Sequence, residues 1–415
     1  MAITQEELAR RLKEARLNVG LTQQDAADEL EIARTAIVQI EAGRRAVNSL
    51  ELARLARLYG RGADEFLQEE TPEVDPLSVL FRASGGLEQS SRLSGALRRC
   101  ANLSRTAKQL ETMLDLDSVR SLSVLYDNAA PSNRWDAVRQ GRALAEAERN
   151  RLNLGSAPVL EVAEVIRRQG VRVTEIEMPD DVSGLFFQGS GVGFVIVVNQ
   201  THSRTRRLFS YAHEYCHALA DRDRSATISR AANRDELIEV RANSFAAHFL
   251  MPERGVRSFI QSLGKGEPSR QVQEIFDGFG ETTAERRHPP GSQDLQVHDI
   301  VAMAHHFGVS FLAALYHLLN LKLVSSAQFE TLKKQETAAG ATARALRIDN
   351  RDEDVHWSLS EQVLSLALEA YLRGEISRRK LSELADDAGI PGSQIEMIVS
   401  PDDTAEESSE ILLPE

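Results

Sequence analysis

Residues 213–217 read His-Glu-Tyr-Cys-His, and this short segment constrains the chain more than any other. Histidines four residues apart lie on one face of an α-helix, so both imidazoles can reach a single metal ion. The glutamate between them lies beside that face, where it can take a proton from a metal-bound water. Because residues 206–219 contain no proline or glycine and their apolar positions recur at helical spacing, we expect a helix here. The alternative is a chance match, with two histidines that only pack or face solvent.

A third ligand is expected downstream, because zinc in a hydrolytic site usually has three protein ligands and one open position for water. Residues 235–252 offer three acidic candidates, which are Asp235, Glu236 and Glu239. Glu239 shares a helical face with Asn243 and with small alanines further on, which would let this helix approach the histidine helix closely. Asn243 would then hydrogen-bond one of the ligands. Spacing alone leaves the three acids open, and an ordinary amphipathic helix with a solvated acid is the alternative.

The same region resembles the ImmA/IrrE family of zinc-dependent metallopeptidases. The resemblance is carried by FVIVVNQTHSRTRRLFSYAHEYCH and EVRANSFAAHFLMP, and it extends over about residues 135–320. The second of these segments matches the family pattern nearly position for position. The resemblance implies a zincin-like domain in which a Zn²⁺ cofactor is held by His213, His217 and Glu239, with Glu214 as the general base.

The resemblance also implies an activity and partners. Members of the family typically cleave a partner helix-turn-helix repressor, which relieves transcriptional silence in stress responses or mobile-element induction. We therefore expect a cytoplasmic zinc-dependent metalloendopeptidase, with such a repressor or the chain itself as substrate. Two alternatives stay open: a transcriptional regulator whose metal-binding domain senses a ligand without proteolysis, and the antitoxin of a toxin–antitoxin pair. The complete ligand set and the glutamate base favour the peptidase.

The first 67 residues form a second unit with helical spacing. The apolar positions predict helices over 5–18, 23–30 and about 33–41, followed by a fourth over 50–59. Thr22 is a suitable N-cap for the second helix. Helix, turn and short helix is the geometry that places a recognition helix in the major groove of DNA.

The segment LTQQDAADELEIARTAIVQIEAGRRAVNSLELARLARLYG resembles the XRE, or lambda-repressor-like, helix-turn-helix family. The resemblance implies operator DNA as a partner, and paired half-sites would favour a homodimer. Ala33 departs from the usual Ser/Thr cap, and the unit carries ten basic against eleven acidic residues, so nonspecific DNA affinity should be weak. A unit used only for dimerisation or protein docking is the alternative. The residues carried over as DNA contacts are Gln23, Arg34, Thr35, Gln39, Arg44 and Arg45.

Composition narrows the class of protein. The 415 residues suffice for two or three domains, and 42% hydrophobic with only 5% aromatic residues favours a helix-rich protein with aliphatic cores. A net charge of −13 argues against broad nonspecific coating of nucleic acid. No apolar run approaches the roughly 18 residues of a membrane span, and the charged N-terminus is unlike a signal peptide, so we expect no membrane partner. Two cysteines, Cys100 and Cys216, give no disulfide framework, indicate a reducing cytoplasm and are expected to be packing residues.

The remaining segments complete a mainly α fold with a small antiparallel β-sheet (α+β), in which a lambda-repressor-like helical bundle precedes a zincin-like metallopeptidase domain. A strand from residue 171 and a hairpin of 184–188 with 194–198 would form that sheet. Residues 264–294 are expected to be a long loop, and 335–357 to be mobile. The expected units are 1–67 for the helix-turn-helix, 68–134 for a linker and helical connector or dimerising arm, 135–322 for the metallopeptidase, 323–400 for a helical C-terminal region and 401–415 for an acidic disordered tail.

Four other histidines have no expected role at the metal. His248 lies nine residues after Glu239, about half a turn out of phase, so it should point away from the ligands. His305, His306 and His317 are expected to pack or to face solvent.

Overall fold

The structure is a computed structural model of the whole chain. It describes all residues except 1–2, 20, 60, 64–65, 68–90, 117–121, 123, 125, 127–128, 190, 267–269, 277–280, 288, 290, 347, 349–357 and 392–415. The expected acidic tail and the acidic linker of 68–78 lie outside the described residues.

Helices dominate the described part of the chain, and a small sheet lies at its centre. The helices are α1 Gln5–Asn18, α2 Gln23–Leu30, α3 Arg34–Glu41, α4 Ser49–Leu58, α5 Ser91–Met113, α6 Arg134–Arg151, α7 Val162–Arg167, α8 Arg204–Ala220, α9 Leu237–Leu250, α10 Glu253–Ser262, α11 Val297–Phe307, α12 Phe311–Asn320, α13 Ser326–Lys333, α14 Glu336–Ala345, α15 Leu359–Leu372 and α16 Arg378–Ala388. The strands are β1 Val171–Ile176, β2 Val182–Gly189, β3 Gly193–Asn199, β4 Ala226–Arg230, β5 Arg270–Phe276 and β6 Glu281–Arg287.

Helices α1 to α4 pack around one apolar core and form the N-terminal unit. Their bounds lie within one residue of the predicted ones, because the local capping chemistry fixes where they begin. Thr22 caps α2 in a reciprocal capping box, whereas Ala33 gives α3 no side-chain cap. A buried ion pair of 2.5 Å between Arg16 Nε and Glu41 Oε1 fastens α1 to the last residue of α3.

The central sheet has the strand order β1-β3-β2-β4. The predicted hairpin of β2 and β3 is confirmed, and β2 also pairs antiparallel with β4. The sheet is nevertheless mixed and not antiparallel throughout, because β1 pairs with β3 in parallel, with Val173 opposite Ile196. The hairpin places β3 between β2 and β1, so a strand that enters the sheet beside β3 can run in its direction. Strand β4 is not predicted by the sequence pattern.

Both faces of this sheet are buried, in alternation along each strand. Phe186 and Ile196 belong to the main core, which they share with α8 and α9. Leu185 and Val197, their immediate neighbours in the chain, belong to a second core on the other face. The sheet therefore supports α8 and α9 on one side and needs a separate cover on the other.

Helix α5 is that cover, and its apolar residues are buried within the chain. Leu93 and Leu97 in its first half pack on the sheet. Ala107 and Leu110 in its second half pack against α15 and α16. The predicted connector is thus helical, and the described structure leaves these apolar residues no surface for an arm that dimerises through them.

Polar contacts attach α5 to its neighbours near its C-terminal end and at its middle. Glu111 Oε2 accepts a hydrogen bond of 2.5 Å from Arg172 Nη2 on β1, and both side chains are about 95% buried. Asn102 Nδ2 donates to the main-chain oxygen of Arg57 on α4 at 3.0 Å. Arg57 also forms an ion pair with Asp387 on α16. These contacts join the N-terminal unit to α5 and to the C-terminal helices.

Two expectations about irregular segments are wrong. Residues 270–287 contain an antiparallel pair, β5 and β6, where a long loop is predicted. Main-chain pairing between strands does not require an apolar pattern, so the composition of this segment conceals it. Residues 336–345 form α14, where mobility is predicted, because the segment is alanine-rich and Ala339 is buried. The rest of the predicted mobile segment, 349–357, lies outside the described residues.

The last described helix, α16, begins after Ser377 and ends before Gly389. Ser377 caps α16, and Gly389 ends it in a left-handed conformation with a φ of 79°.

Over the described residues, no single helix is long and apolar enough to cross a membrane, and only the pair α11 and α12, bent by 101°, meets that criterion jointly.

Candidate metal centre and DNA-binding face

Helices α8 and α9 bring two histidines and one glutamate together on the sheet. His213 Nε2 lies 3.0 Å from Glu239 Oε2, and His217 Nε2 lies 3.5 Å from Glu239 Oε1. The two Nε2 atoms are 3.3 Å apart. All three residues are at most 5% exposed, so these donors converge on one point that is shielded from solvent. Two imidazole nitrogens and one carboxylate are a donor set that zinc takes in hydrolytic sites.

The other nitrogen of each imidazole faces a hydrogen-bond acceptor. His213 Nδ1 donates to Asn243 Oδ1 at 3.0 Å, which is the contact predicted for Asn243. His217 Nδ1 donates to Asp221 Oδ2 at 2.8 Å, and Asp221 also pairs with buried Arg241. Once a metal replaces the proton on Nε2, an acceptor on Nδ1 keeps the remaining proton there and directs the Nε2 lone pair to the metal.

Asp221 is missed by the sequence analysis, although a signal exists. It follows His217 by four residues, the same spacing that relates the two histidines.

The environment of Glu239 favours its ionised form. Burial raises the pKa of Glu239, but its hydrogen bonds to the two imidazoles outweigh this and lower that pKa to about 2. A carboxylate that stays ionised in a buried site is suited to hold a cation.

Glu214 lies beside this cluster as a buried carboxylate. It is fully buried, and neither of its side-chain oxygens has a hydrogen-bond partner among the described residues. Burial raises the pKa of Glu214, and the nearby histidines oppose that rise. An orphaned acid next to a convergent donor set fits a site that takes a cation and a polar reactant, because burying such a group without a partner is costly.

Gly184 on β2 makes room for Glu214. A β-carbon at Gly184 would lie 2.7 Å from Glu214 Oε1, closer than side chains approach. Its sheet partner on β4 is Ser229. Glu214 therefore lies over the Gly184–Ser229 pair, next to the edge strand of the sheet. Sequence reasoning does not identify Gly184, because its role depends on a contact 30 residues away.

The structure separates Glu239 from the two acids that spacing leaves open. Asp235 and Glu236 are exposed, and Asp235 lies 3.2 Å from Arg134 Nη1 on α6. Glu236 precedes the first residue of α9. Glu239 alone of the three faces the imidazoles, because it lies in the first turn of the helix that packs on α8.

The side chains with no expected role lie elsewhere. His248 Nδ1 donates to the Ser244 carbonyl oxygen at 2.8 Å, and its ring packs edge-on against buried His317. His305 and His306 are outside the cluster as well. The hydroxyls of Tyr211 and Tyr215 donate to the carboxylates Glu175 Oε1 and Glu148 Oε1, so neither reaches the cluster.

Both cysteines are packed thiols. Cys216 is fully buried on α8, and burial raises the pKa of its thiol. Burial also raises the pKa of Cys100 on α5 to about 12. A thiol that stays protonated and buried is a poor nucleophile, so packing is the role that the geometry supports.

The third helix of the N-terminal unit presents an open face. Arg34, Thr35 and Gln39 on α3 are exposed, as is Arg44 after it. These side chains have the chemistry to read a guanine edge, a thymine methyl group, an adenine and a phosphate.

Two of the predicted DNA contacts are instead held by acids of the same unit. Gln23 Nε2 donates to Glu41 Oε2 at 2.9 Å, and Arg45 Nη2 lies 2.5 Å from Glu51 Oε1. Arg45 would have to exchange a carboxylate for a phosphate, so its net contribution to DNA binding is expected to be smaller than that of Arg44.

The fold and the cluster together define a helix-turn-helix protein that carries an α+β domain with a His-His-Glu centre. Comparison with known families agrees: residues 12–66 match the helix-turn-helix family model, and residues 166–277 match that of the IrrE N-terminal-like domain of the M78 peptidases. The chain therefore carries a segment similar to XRE-type helix-turn-helix domains and a segment similar to the IrrE N-terminal-like domain, which confirms both resemblances. No curated protein matches the chain.

Proposed function

We propose that this protein is a DNA-binding regulatory zinc metalloendopeptidase. The observation that carries the proposal is the convergence of His213 Nε2, His217 Nε2 and the Glu239 carboxylate beside the unpartnered acid Glu214. In this proposal His213, His217 and Glu239 hold zinc, and Glu214 is the general base. Asn243 and Asp221 orient the imidazoles through Nδ1.

The expected chemistry is hydrolysis of a peptide bond. Zinc, when bound, supplies Lewis acidity that polarises a carbonyl and acidifies water. Glu214 takes the proton of the attacking water and delivers it to the leaving amine. Its raised pKa suits both tasks, because an acid that holds its proton more firmly can accept one near neutral pH and then release it to a stronger base.

The sheet edge supports an extended peptide as substrate. β4 is one of the two edge strands in the order β1-β3-β2-β4, and its Ser229 lies beside Gly184 under Glu214. A peptide that adds to β4 by main-chain hydrogen bonds would pass next to Glu214. A helix-turn-helix repressor, either a partner or this chain, is proposed as the source of that peptide on the basis of the family resemblance.

The decisive experiment compares metal content and proteolysis in the wild type, Glu214→Gln and Glu236→Gln. Glu236→Gln is the matched control, because it removes an exposed acid close to the site. We expect one zinc per chain in all three proteins, with cleavage of co-encoded repressors or of the chain itself lost only in Glu214→Gln. If Glu214→Gln cleaves as fast as the wild type, Glu214 is not the general base and the proposed mechanism is wrong.

A second function, regulation by a metal or ligand without proteolysis, is favoured by one observation. The cluster residues and Glu214 are at most 5% exposed, so the site is closed to a peptide in this conformation. A closed site suits a sensor, whereas a peptidase must open it. Stoichiometric zinc and zinc-dependent DNA binding, with no cleavage in any of the three proteins, would select this second function.

A further inference from the structure

A second concave site lies away from the metal centre, behind α9. It is a half-open cleft of about 720 Å³ between α6, the loop at Gly155 and Ser156, the end of α9 and the start of α10. Glu239 and His248, which face the two sites, are nine residues apart on α9, or about 13 Å along its axis. Clefts of this size are typical of small-molecule sites.

The lining of this cleft is positively charged in an acidic protein. Four arginines outnumber the two glutamates among the lining residues, which leaves two positive charges with His248 neutral, while the whole chain carries −13. The two acids are already engaged: Glu146 accepts from Arg142, and Glu253 lies 2.9 Å from Arg142 and 2.8 Å from Arg257. The two excess positive charges therefore belong to the other two arginines of the lining, Arg149 and Arg254.

Arg149 is the buried one of these two. It is 97% buried, and its guanidinium donates only to carbonyl oxygens, among them those of Phe249, Gly155 and Ala157. No carboxylate pairs with it among the described residues. Because a buried charge is costly without a counter-charge, an anion in the cleft would stabilise Arg149.

Arg254 is the exposed one, and it lies in the first turn of α10. Its guanidinium has no acidic partner in the part of the chain that the structure describes. Pro252, the N-cap residue of α10, supplies no side-chain cap, so no side chain pairs with the first main-chain N–H groups of this helix, whose start lines the cleft. Gly255 lets the loop close in here, since a β-carbon at that position would lie 2.5 Å from the Ser156 carbonyl oxygen.

His248 adds a neutral acceptor to the same wall. It is 93% buried, and donation from Nδ1 to Ser244 leaves Nε2 with a lone pair. No protein group among the described residues donates to that nitrogen. A ligand hydroxyl could do so, which distinguishes an organic phosphate from an inorganic anion.

From this arrangement we propose that the cleft binds a small phosphorylated metabolite, with the phosphate dianion between Arg149 and Arg254 and a hydroxyl at His248. The two uncompensated arginines match the charge of a phosphate dianion. The described lining residues include no phenylalanine, tyrosine or tryptophan, and the ring of His248 already packs against His317, so a compact sugar or polyol phosphate fits better than a nucleotide. The site is separate from the metal centre and does not depend on peptidase activity.

Calorimetry on the full-length protein tests this with three probes at equal ionic strength: glucose 6-phosphate, inorganic phosphate and uncharged glucose. We expect saturable binding of glucose 6-phosphate and a rise in the thermal unfolding midpoint, with no response to glucose. Equal binding of inorganic phosphate would assign the site to the phosphate group alone, and weaker binding would assign it to the organic ester. Equal binding would overturn the hydroxyl contact at His248 and keep only the phosphate site of Arg149 and Arg254, whereas weaker binding of inorganic phosphate would support both contacts.

Matched variants locate the binding. Arg254→Gln should weaken binding by about ten-fold or more, because a charge-assisted hydrogen bond is lost. Arg139→Gln removes the same charge from an exposed position of α6 outside the cleft and should bind like the wild type. Both arginines are exposed, so both variants should fold, which circular dichroism checks. Absence of saturable binding of both phosphates, or an equal loss in the two variants, would overturn the proposal.

Discussion

Gly184 on β2 and Glu214 on α8 are in contact so close that a methyl group at Gly184 would lie 2.7 Å from Glu214 Oε1. The absence of a side chain at Gly184 is therefore what allows the glutamate to lie beside the two histidines. Gly184 has no left-handed backbone requirement, so its role is steric.

Gly184→Ala should displace Glu214 while leaving the three proposed metal ligands, His213, His217 and Glu239, in place. We expect normal zinc content and a loss of cleavage of roughly a hundred-fold, because a displacement of about 1 Å in a catalytic group has an effect of that order. Gly95→Ala is the control, since a β-carbon there meets nothing within 4 Å. Full activity of Gly184→Ala would show that Glu214 is not the base or that the sheet yields.

Asp221→Asn should weaken zinc binding by about ten- to a hundred-fold, because the carboxylate that holds His217 Nδ1 becomes a neutral amide. Competition with a chromophoric chelator measures the affinity. The matched control is Asp223→Asn, an exposed acid two residues away. If both variants hold zinc equally well, Asp221 serves only its ion pair with Arg241.

Arg34→Ala should reduce affinity for DNA selected by the wild-type protein from a random pool. Loss of a base contact costs about 1–3 kcal/mol, whereas Arg45→Ala should have a smaller effect, because Arg45 is paired with Glu51. Electrophoretic mobility shifts at two salt concentrations separate base contacts from phosphate contacts. Equal DNA affinity of wild type and Arg34→Ala would favour a protein-docking role for the N-terminal unit.

Stability should fall between pH 7 and pH 5, partly through His317. Burial, and next the neighbouring His248, lower the pKa of His317 to about 3. The unfolded chain takes up this proton near pH 6.5 and the folded chain does not, so stability is present above pH 6.5 and declines as the pH falls. The contribution over this interval is about 2 kcal/mol.

Urea unfolding at pH 7 and pH 5 measures the change in the free energy of unfolding. It is compared between the wild type and His317→Gln, which retains a donor for the Met251 carbonyl oxygen. The variant should lose less stability on acidification. His298→Gln, at a position whose side chain is 65% exposed, is the control and should follow the wild type. The same pH dependence in all three proteins would contradict the assignment.

Local interactions explain which elements were predictable. α1 to α3 begin and end within a residue of their predicted bounds, because caps such as Thr22 act over three or four residues. The helix of His213 and His217 is predictable for the same reason, since its periodicity is contained in its own segment. The polar composition of residues 335–357 led to a wrong prediction of mobility for α14. Its alanines favour a helix wherever one side of the helix can be buried.

The sequence by itself determined the two histidines on one helix face, the intervening glutamate and the order of the two domains, because each depends on spacing along a single segment. Spacing left Asp235, Glu236 and Glu239 open, and it is the tertiary structure that places only Glu239 of the three against the imidazoles, brings in Asp221 and Gly184, and pairs β1 with β3 in parallel. Those features depend on contacts between segments that are remote in the chain, and packing, rather than local periodicity, determines which remote segments meet.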